Sequence, residues 1–158
     1  MKLVEEESKD YIVGMKTLLF LWTLTLASLS FAADSLPWLT SYPEALAAAK
    51  AGHKPVLVDF TGSDWCVWCM RLEKEIFSKP EFAAWAKDNV VLLKLDFPRN
   101  LPQSQEVKQM NAELAEKYKV EGFPTLLLVD ETGKEKARTG YKHVSAAAYV
   151  KHLESLLK

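Results

Sequence analysis

The apolar positions of this chain form short continuous runs separated by longer periodic segments. The runs at Val56–Phe60, Val90–Leu95 and Thr125–Val129 are rich in Val and Leu, which is typical of buried strands. In the segments around them, apolar residues recur three or four positions apart and predict amphipathic helices. These segments are 44–51, 69–77, 80–85, 107–118 and 145–157.

The last part of this pattern predicts a hairpin rather than another crossover. Asp130–Gly133 has the composition of a turn, and Lys136–Tyr141 is expected to be the paired edge strand. Strands and helices alternate before this hairpin, and a final helix follows it. The fold class expected is therefore α/β, a sandwich in which a central mixed sheet is flanked by helices.

Serine residues mark the predicted helix starts. Ser41–Glu44 and Ser78–Glu81 each read serine, any residue, proline, glutamate, which predicts a capping box with proline in the first turn. Ser145 is expected to cap the last helix.

The N-terminal residues have a different pattern. Residues 1–14 are polar and acidic, and we interpret them as a non-native or untranslated prefix, with translation starting at Met15. Residues 15–32 have a lysine, an apolar core and small residues at Ser30 and Ala32, which is typical of a cleaved signal peptide. An uncleaved membrane anchor is the alternative. The expected location is periplasmic or secreted.

Composition restricts the remaining region to one domain, 33–158. The sequence has 20 Lys and Arg against 21 Asp and Glu, a formal net charge of −1. A nearly neutral chain without a basic cluster argues against nucleic-acid binding. The only two cysteines are Cys66 and Cys69. A disulfide across so short a loop stabilises a fold little, so this pair indicates chemistry.

The cysteine pair lies where a predicted strand passes into a predicted helix. Free backbone N–H groups and the helix dipole favour a thiolate at Cys66, and the thiolate is the nucleophilic form of cysteine.

Two motifs, Trp65-Cys66-Val67-Trp68-Cys69 and Gly122-Phe123-Pro124-Thr125, resemble those of the thioredoxin superfamily of thiol–disulfide oxidoreductases. The sequence is similar to the C-terminal thioredoxin domain of the bacterial transmembrane disulfide reductase and to small secreted thioredoxin-like proteins. The resemblance implies a thioredoxin-like sandwich and an exported thiol–disulfide oxidoreductase. It favours the reduction of protein disulfides, with an oxidase or an isomerase as alternatives.

The resemblance also implies roles for individual residues. Cys66 would be the nucleophile, Cys69 the resolving cysteine, and Asp59 a buried acid that takes the proton of Cys69. The residues expected to contact substrate are Trp65, Trp68, Phe123, Pro124 (in a cis peptide bond) and Thr125.

One extra residue precedes Trp65 relative to plain thioredoxins, so Asp64 is an exposed alternative to Asp59. Leu92 aligns with the lysine that accompanies the buried acid in those proteins, and Lys94 takes that place only in a different register.

The expected partners are disulfide-containing protein substrates and a membrane-bound electron donor. We expect a monomer, no cofactor and no bound metal. Two alternatives from other classes are a redox-inactive thioredoxin-like binding module and a metal carrier that uses the CxxC pair. His53, His143 and His152 have no ligand spacing and are expected at the surface.

The signal-peptide interpretation predicts that the mature protein begins at Ala33, because Ser30 and Ala32 supply the small residues that signal peptidase requires. The intact mass of the exported protein measures this. A mature chain that still contains Leu18–Leu29 would contradict cleavage and favour the anchor.

Overall fold

The strand that contains Asp59 lies at the centre of the sheet, and its flanking elements cover it on both faces. The computed structural model describes residues 36–158. The predicted prefix 1–14, the signal peptide 15–32 and the start at Ala33 lie outside the described residues.

Four strands form one mixed sheet in the order β2-β1-β3-β4. Strand β1 pairs parallel with β2 and antiparallel with β3, and β3 pairs antiparallel with β4. All six residues of β1 are buried, as expected for a strand covered on both sides. The strands are β1 Val56–Thr61, β2 Val91–Asp96, β3 Thr125–Val129 and β4 Glu135–Thr139.

Five α-helices flank the sheet within the described range: α1 Tyr42–Gly52, α2 Val67–Leu72, α3 Pro80–Asn89, α4 Gln105–Lys117 and α5 Ala146–Leu156. Helix α2 continues directly into a π-helical turn, Glu73–Phe77, which the sequence pattern did not predict. None of the helices in residues 36–158 has the length and apolar character that crossing a membrane requires.

The alternation of side chains along β1 divides the core into two layers. Val56, Val58 and Phe60 pack with residues of α1 and α4 on one face. Leu57 packs with residues of α2, α3 and α5 on the other face. Since successive strand residues point to opposite faces, Asp59 lies on the same face as Leu57 and therefore on the side of the CxxC helix.

Neither predicted capping box forms. Ser41 precedes α1 as expected, but its side chain makes no capping hydrogen bond. Helix α3 begins at Pro80, so Lys79 occupies the cap position and Ser78 lies one residue too early. The Ser78 hydroxyl instead donates to the Lys74 carbonyl, which belongs to the preceding turn. The predicted cap at Ser145 is confirmed, because its Oγ accepts from the backbone N–H of Ala148.

The turn between β3 and β4 supports a prediction about stability. Gly133 has a φ of 79°, and a β-carbon there would collide with the Oη of Tyr42. The Tyr118 hydroxyl donates to the Gly133 carbonyl at 2.7 Å, so the turn cannot move freely away. Gly133→Ala should lower the free energy of unfolding by about 1–3 kcal/mol.

Urea denaturation of the purified domain measures this loss. Gly122→Ala is the matched control, because a β-carbon at Gly122 would meet no atom within 4 Å. Equal midpoints for the two variants would show that neither the backbone conformation nor the Tyr42 contact constrains this turn.

Candidate active site

Cys66 and Cys69 are joined by a disulfide at the start of α2, with their Cα atoms 5.2 Å apart. Cys66 is the N-cap residue, and its Sγ accepts a hydrogen bond from the backbone N–H of Cys69 at 3.2 Å. The same N–H would stabilise a Cys66 thiolate in the reduced protein. The two residues are nearly equally buried in this oxidised state, with 6% and 4% of their surface exposed.

The turn before Cys66 is fixed by the indole ring of Trp65. The Trp65 Nε1–H donates to the Phe97 carbonyl at 2.8 Å. A β-carbon at Gly62 would lie 2.6 Å from the indole, so only glycine allows the backbone to approach this closely. The guanidinium carbon of Arg99 lies over the Trp65 ring, 3.8 Å from its centroid. Trp65 therefore connects the CxxC turn to the loop after β2.

Asp64 fixes the same loop from a second point. Its carboxylate accepts hydrogen bonds from the backbone N–H groups of Arg99, Asn100 and Leu101, at 2.9, 2.6 and 3.2 Å. These bonds, that from Arg99 foremost, hold the pKa of Asp64 below its usual value. A carboxylate that accepts hydrogen bonds from several N–H groups is a poor proton acceptor near neutral pH, so the environment of Asp64 does not suit an acid–base role.

Asp59 has the opposite environment. It is 3% exposed, and within residues 36–158 its Oδ1 atom has no hydrogen-bond partner. Desolvation by burial raises the pKa of Asp59 from 3.8 to about 7, and the charge of Lys94 opposes that rise. Asp59 therefore has the burial, the position on the α2 face and the pKa that acid–base chemistry near neutral pH requires.

The prediction that Leu92 takes the place of the lysine that accompanies the buried acid in plain thioredoxins is wrong. Strand β2 pairs with β1 in a different register from the one that this alignment assumed. Asp59 lies directly opposite Lys94 in the parallel ladder. The Lys94 Nζ is 2.9 Å from a Glu73 carboxylate oxygen in the π-helical turn, so its charge is shared between two acids. The extra residue before Trp65 is accommodated in the turn that follows β1, and it leaves Asp59 inside the strand.

The second motif meets the first through aromatic contacts. The Phe123 ring packs edge-on against Trp65, with centroids 5.9 Å apart, and also against Phe97 at 5.0 Å. The Phe123–Pro124 peptide bond is cis, as predicted. Thr125 begins β3, and its hydroxyl donates to the Gly122 carbonyl at 2.7 Å. Trp65, which directly precedes Cys66, thus contacts Phe123, and the cis Pro124 follows Phe123 in the chain.

Trp68 is the most exposed aromatic residue of the motif, with 52% of its surface accessible. Its ring lies 5.5 Å from the Tyr141 ring and 5.0 Å from the Arg71 guanidinium. The Tyr141 hydroxyl donates to Glu75 at 2.6 Å, which keeps that side chain in place.

Sequence reasoning missed four contributors to this site, namely Arg71, Glu73, Arg99 and Tyr141. The spacing of three between Trp68 and Arg71 on a helix was a usable signal for that contact. No local signal places Arg99 or Tyr141 beside the motif, because each comes from a distant part of the chain.

Comparison with known proteins agrees with this geometry. A family model described as a thioredoxin-like domain matches residues 42–157. The disulfide bond reductase DsbH of Chlamydia pneumoniae is 43% identical over 127 residues, which are 80% of this chain and 76% of that protein. A solved structure of the DsbH oxidoreductase gives a TM-score of 0.75 at 41% identity, covering 81% of this chain and 88% of that one.

The chain belongs to the thioredoxin-like family. It is a thiol–disulfide oxidoreductase, and its redox centre is the pair Cys66–Cys69. The expected fold class, a thioredoxin-like sandwich with a mixed sheet flanked by helices, is confirmed.

A second relative is much longer. The thiol:disulfide interchange protein DsbD 2 of Pseudomonas aeruginosa is 37% identical over 111 residues, which are 70% of this chain but only 17% of that protein. The thioredoxin-like chain therefore spans about a sixth of that relative's length.

The structure of this thioredoxin-like domain offers no metal centre in the part that is described. No group of three or more His, Cys, Asp or Glu side chains in residues 36–158 is placed to hold an ion. His53 and His143 are exposed as expected. His152 is partly buried, and its ring lies 2.9 Å from the Thr139 hydroxyl.

The environment of Asp59 predicts a pH-dependent stability. Its pKa is raised from 3.8 in an exposed chain to about 7 in the folded one, so folding favours the protonated form. The contribution of the protonated Asp59 carboxyl to the free energy of unfolding is fully present below about pH 4, and it is lost as the pH rises through 7. Relative to Asp59→Asn, the wild type should lose on the order of 4 kcal/mol of unfolding free energy across this window.

Urea denaturation of the oxidised protein at pH 4.5, 6 and 8 measures the difference. Asp88→Asn, which removes an exposed aspartate from α3, is the matched control. Stability profiles of wild type and Asp59→Asn that stay parallel over this range would contradict the raised pKa.

Proposed function

We propose that this protein reduces disulfide bonds in exported proteins, with Cys66 as nucleophile, Cys69 as resolving cysteine and Asp59 as the acceptor of the Cys69 proton. The observation that carries the proposal is the CxxC pair at a helix start, on the same side of the sheet as a buried carboxyl whose pKa is about 7. The name of the Chlamydia pneumoniae relative, a disulfide bond reductase, supports the direction of electron flow.

The first step is attack by the Cys66 thiolate on one sulfur of a substrate disulfide. A bond forms between Cys66 Sγ and that sulfur, the substrate S–S bond breaks, and the second substrate sulfur leaves as a thiolate. The backbone N–H of Cys69, which is 3.2 Å from Cys66 Sγ, favours the attacking thiolate.

The second step releases the substrate. The Cys69 thiol gives its proton to Asp59 and attacks Cys66 Sγ, so the Cys66–Cys69 disulfide forms and the mixed disulfide breaks. The substrate gains two electrons and the protein loses two. A pKa of about 7 allows Asp59 to accept a proton at neutral pH and to return it afterwards.

Turnover then requires a dithiol reductant. We propose that a membrane-bound electron donor restores the Cys66–Cys69 dithiol after export of the chain by the predicted signal peptide. The thiol:disulfide interchange proteins among the relatives support thiol exchange with protein partners. The substrate chain would lie across Trp65, Trp68, Phe123, Pro124 and Thr125.

Unequal cysteine roles give the decisive test. Cys69→Ser should still attack substrates but be unable to resolve, so it should accumulate mixed disulfides that mass spectrometry can identify in the exported fraction. Cys66→Ser should form none and should lose more than about 99% of insulin-reducing activity, because it removes the nucleophile. The double Ser variant controls for non-covalent capture.

Two outcomes would contradict the proposal. Mixed disulfides on Cys69 of the Cys66→Ser variant would reverse the assigned roles. A wild-type protein without insulin-reducing activity would favour the redox-inactive binding module. The reduction potential of the Cys66–Cys69 pair, measured against glutathione, tests the direction of electron flow. For this two-electron couple, a difference of about 30 mV corresponds to 1.4 kcal/mol.

A further inference from the structure

Each tryptophan that flanks the cysteines carries an arginine on its ring. The Arg99 guanidinium carbon is 3.8 Å from the centroid of the Trp65 ring, and the Arg71 carbon is 5.0 Å from that of Trp68. Both arginines are exposed. A guanidinium stacked on an aromatic face keeps its N–H groups in a fixed plane, whose edge can bind a carboxylate with two hydrogen bonds.

Neither arginine has an acidic partner among residues 36–158, where the only ion pairs are Lys94–Glu73 and Arg138–Glu135. The neighbouring acids are engaged by other groups. Asp64 accepts the three backbone N–H groups of the loop, and Glu75 accepts the Tyr141 hydroxyl. Within the described residues, neither guanidinium therefore forms an ion pair that an external carboxylate would have to displace, although Arg71 also lies near the Tyr141 hydroxyl.

The Arg99 stack is also held firmly in place. Asp64 fixes the backbone of Arg99, and the Phe97 carbonyl fixes the Trp65 indole. A binding group whose position is already set loses less conformational freedom when a ligand binds.

Positive charge continues beyond Arg71. An open cavity of about 460 Å³ is lined by Glu75, which accepts the Tyr141 hydroxyl, and by Lys74, Lys79, His143, Val144 and Ser145. A peptide that passes over Trp68 would therefore meet two further lysines. This charge is local, because the whole chain has a formal net charge of −1.

We infer that Arg71 and Arg99 recognise carboxylate side chains that flank the target disulfide, so that acidic cystine-containing segments are the preferred substrates. This inference rests on the reductase function proposed above. The two arginines act as specificity-determining residues and take no part in the transfer of electrons.

The test uses three cystine peptides that differ only in the residues beside the disulfide: Glu, Gln or Lys. Reduced protein is mixed with each oxidised peptide, and the second-order rate of reduction is measured. Because flanking charge also alters the intrinsic reactivity of a disulfide, each rate is divided by the rate with dithiothreitol, a neutral dithiol. The readout is the ratio of the normalised Glu rate to the normalised Gln rate, which does not depend on the fraction of folded protein.

We expect a ratio of about ten for the wild type, and a threefold to fivefold lower ratio for each of Arg71→Gln and Arg99→Gln, as is usual for exposed charge pairs. Arg99→Lys should recover only part of the ratio, because it keeps the charge but loses the planar fork. Lys108→Gln removes an equal charge from exposed α4 and should leave the ratio unchanged. Raising the salt to 0.5 M should lower the wild-type ratio.

A wild-type ratio at or below one, or arginine variants that match Lys108→Gln, would overturn the inference while leaving the reductase function intact. Failure of the wild type to reduce the Gln peptide would instead overturn the proposed reductase function. The two failures are thus distinguished within one data set.

Discussion

Burial of the Asp59 carboxyl is the constraint on which the proposed chemistry of this site depends. The central strand is covered by helices on both faces, and its six residues are all buried. A charged carboxylate there has lost its water, and within residues 36–158 its Oδ1 atom has no hydrogen-bond partner. Lys94 lies opposite it but is shared with Glu73, so the opposing charge is only partly available. The result is an acid that changes protonation near neutral pH.

Asp59 and Asp64 show how environment assigns different roles to one residue type. Burial raises the pKa of Asp59, whereas backbone N–H groups lower that of Asp64. The first can exchange a proton at neutral pH. The second remains a carboxylate, and its permanent charge organises the loop that supports Trp65. The proposed acid–base function and the structural support of the loop are thus assigned to two aspartates that are only five positions apart in the sequence.

The two tryptophans beside the cysteines also differ in their surroundings. Trp65 is held by a hydrogen bond to Phe97 and an edge-on contact with Phe123, so it joins three segments of the chain. Trp68 remains half exposed, and its ring packs against Tyr141 and Arg71. The rigid ring orders the redox motif, and the exposed ring offers area to a partner. An arginine on each ring adds charge to both surfaces.

The sequence alone determined the fold class and the redox pair, and it left Asp59 and Asp64 as two candidates for the acid; the structure shows that Asp59 is the buried one. Strand and helix periods are local, and a cysteine pair between a strand and a helix has direct chemical consequences. The tertiary structure decided what depends on contacts between distant segments. The register of β2 placed Lys94, rather than Leu92, opposite Asp59, because a parallel pair has no connecting turn to fix its alignment. The two capping boxes that do not form and the positions of Arg99 and Tyr141 have the same origin. The sequence pattern allows several local arrangements of similar energy, and the packing of separate elements selects among them.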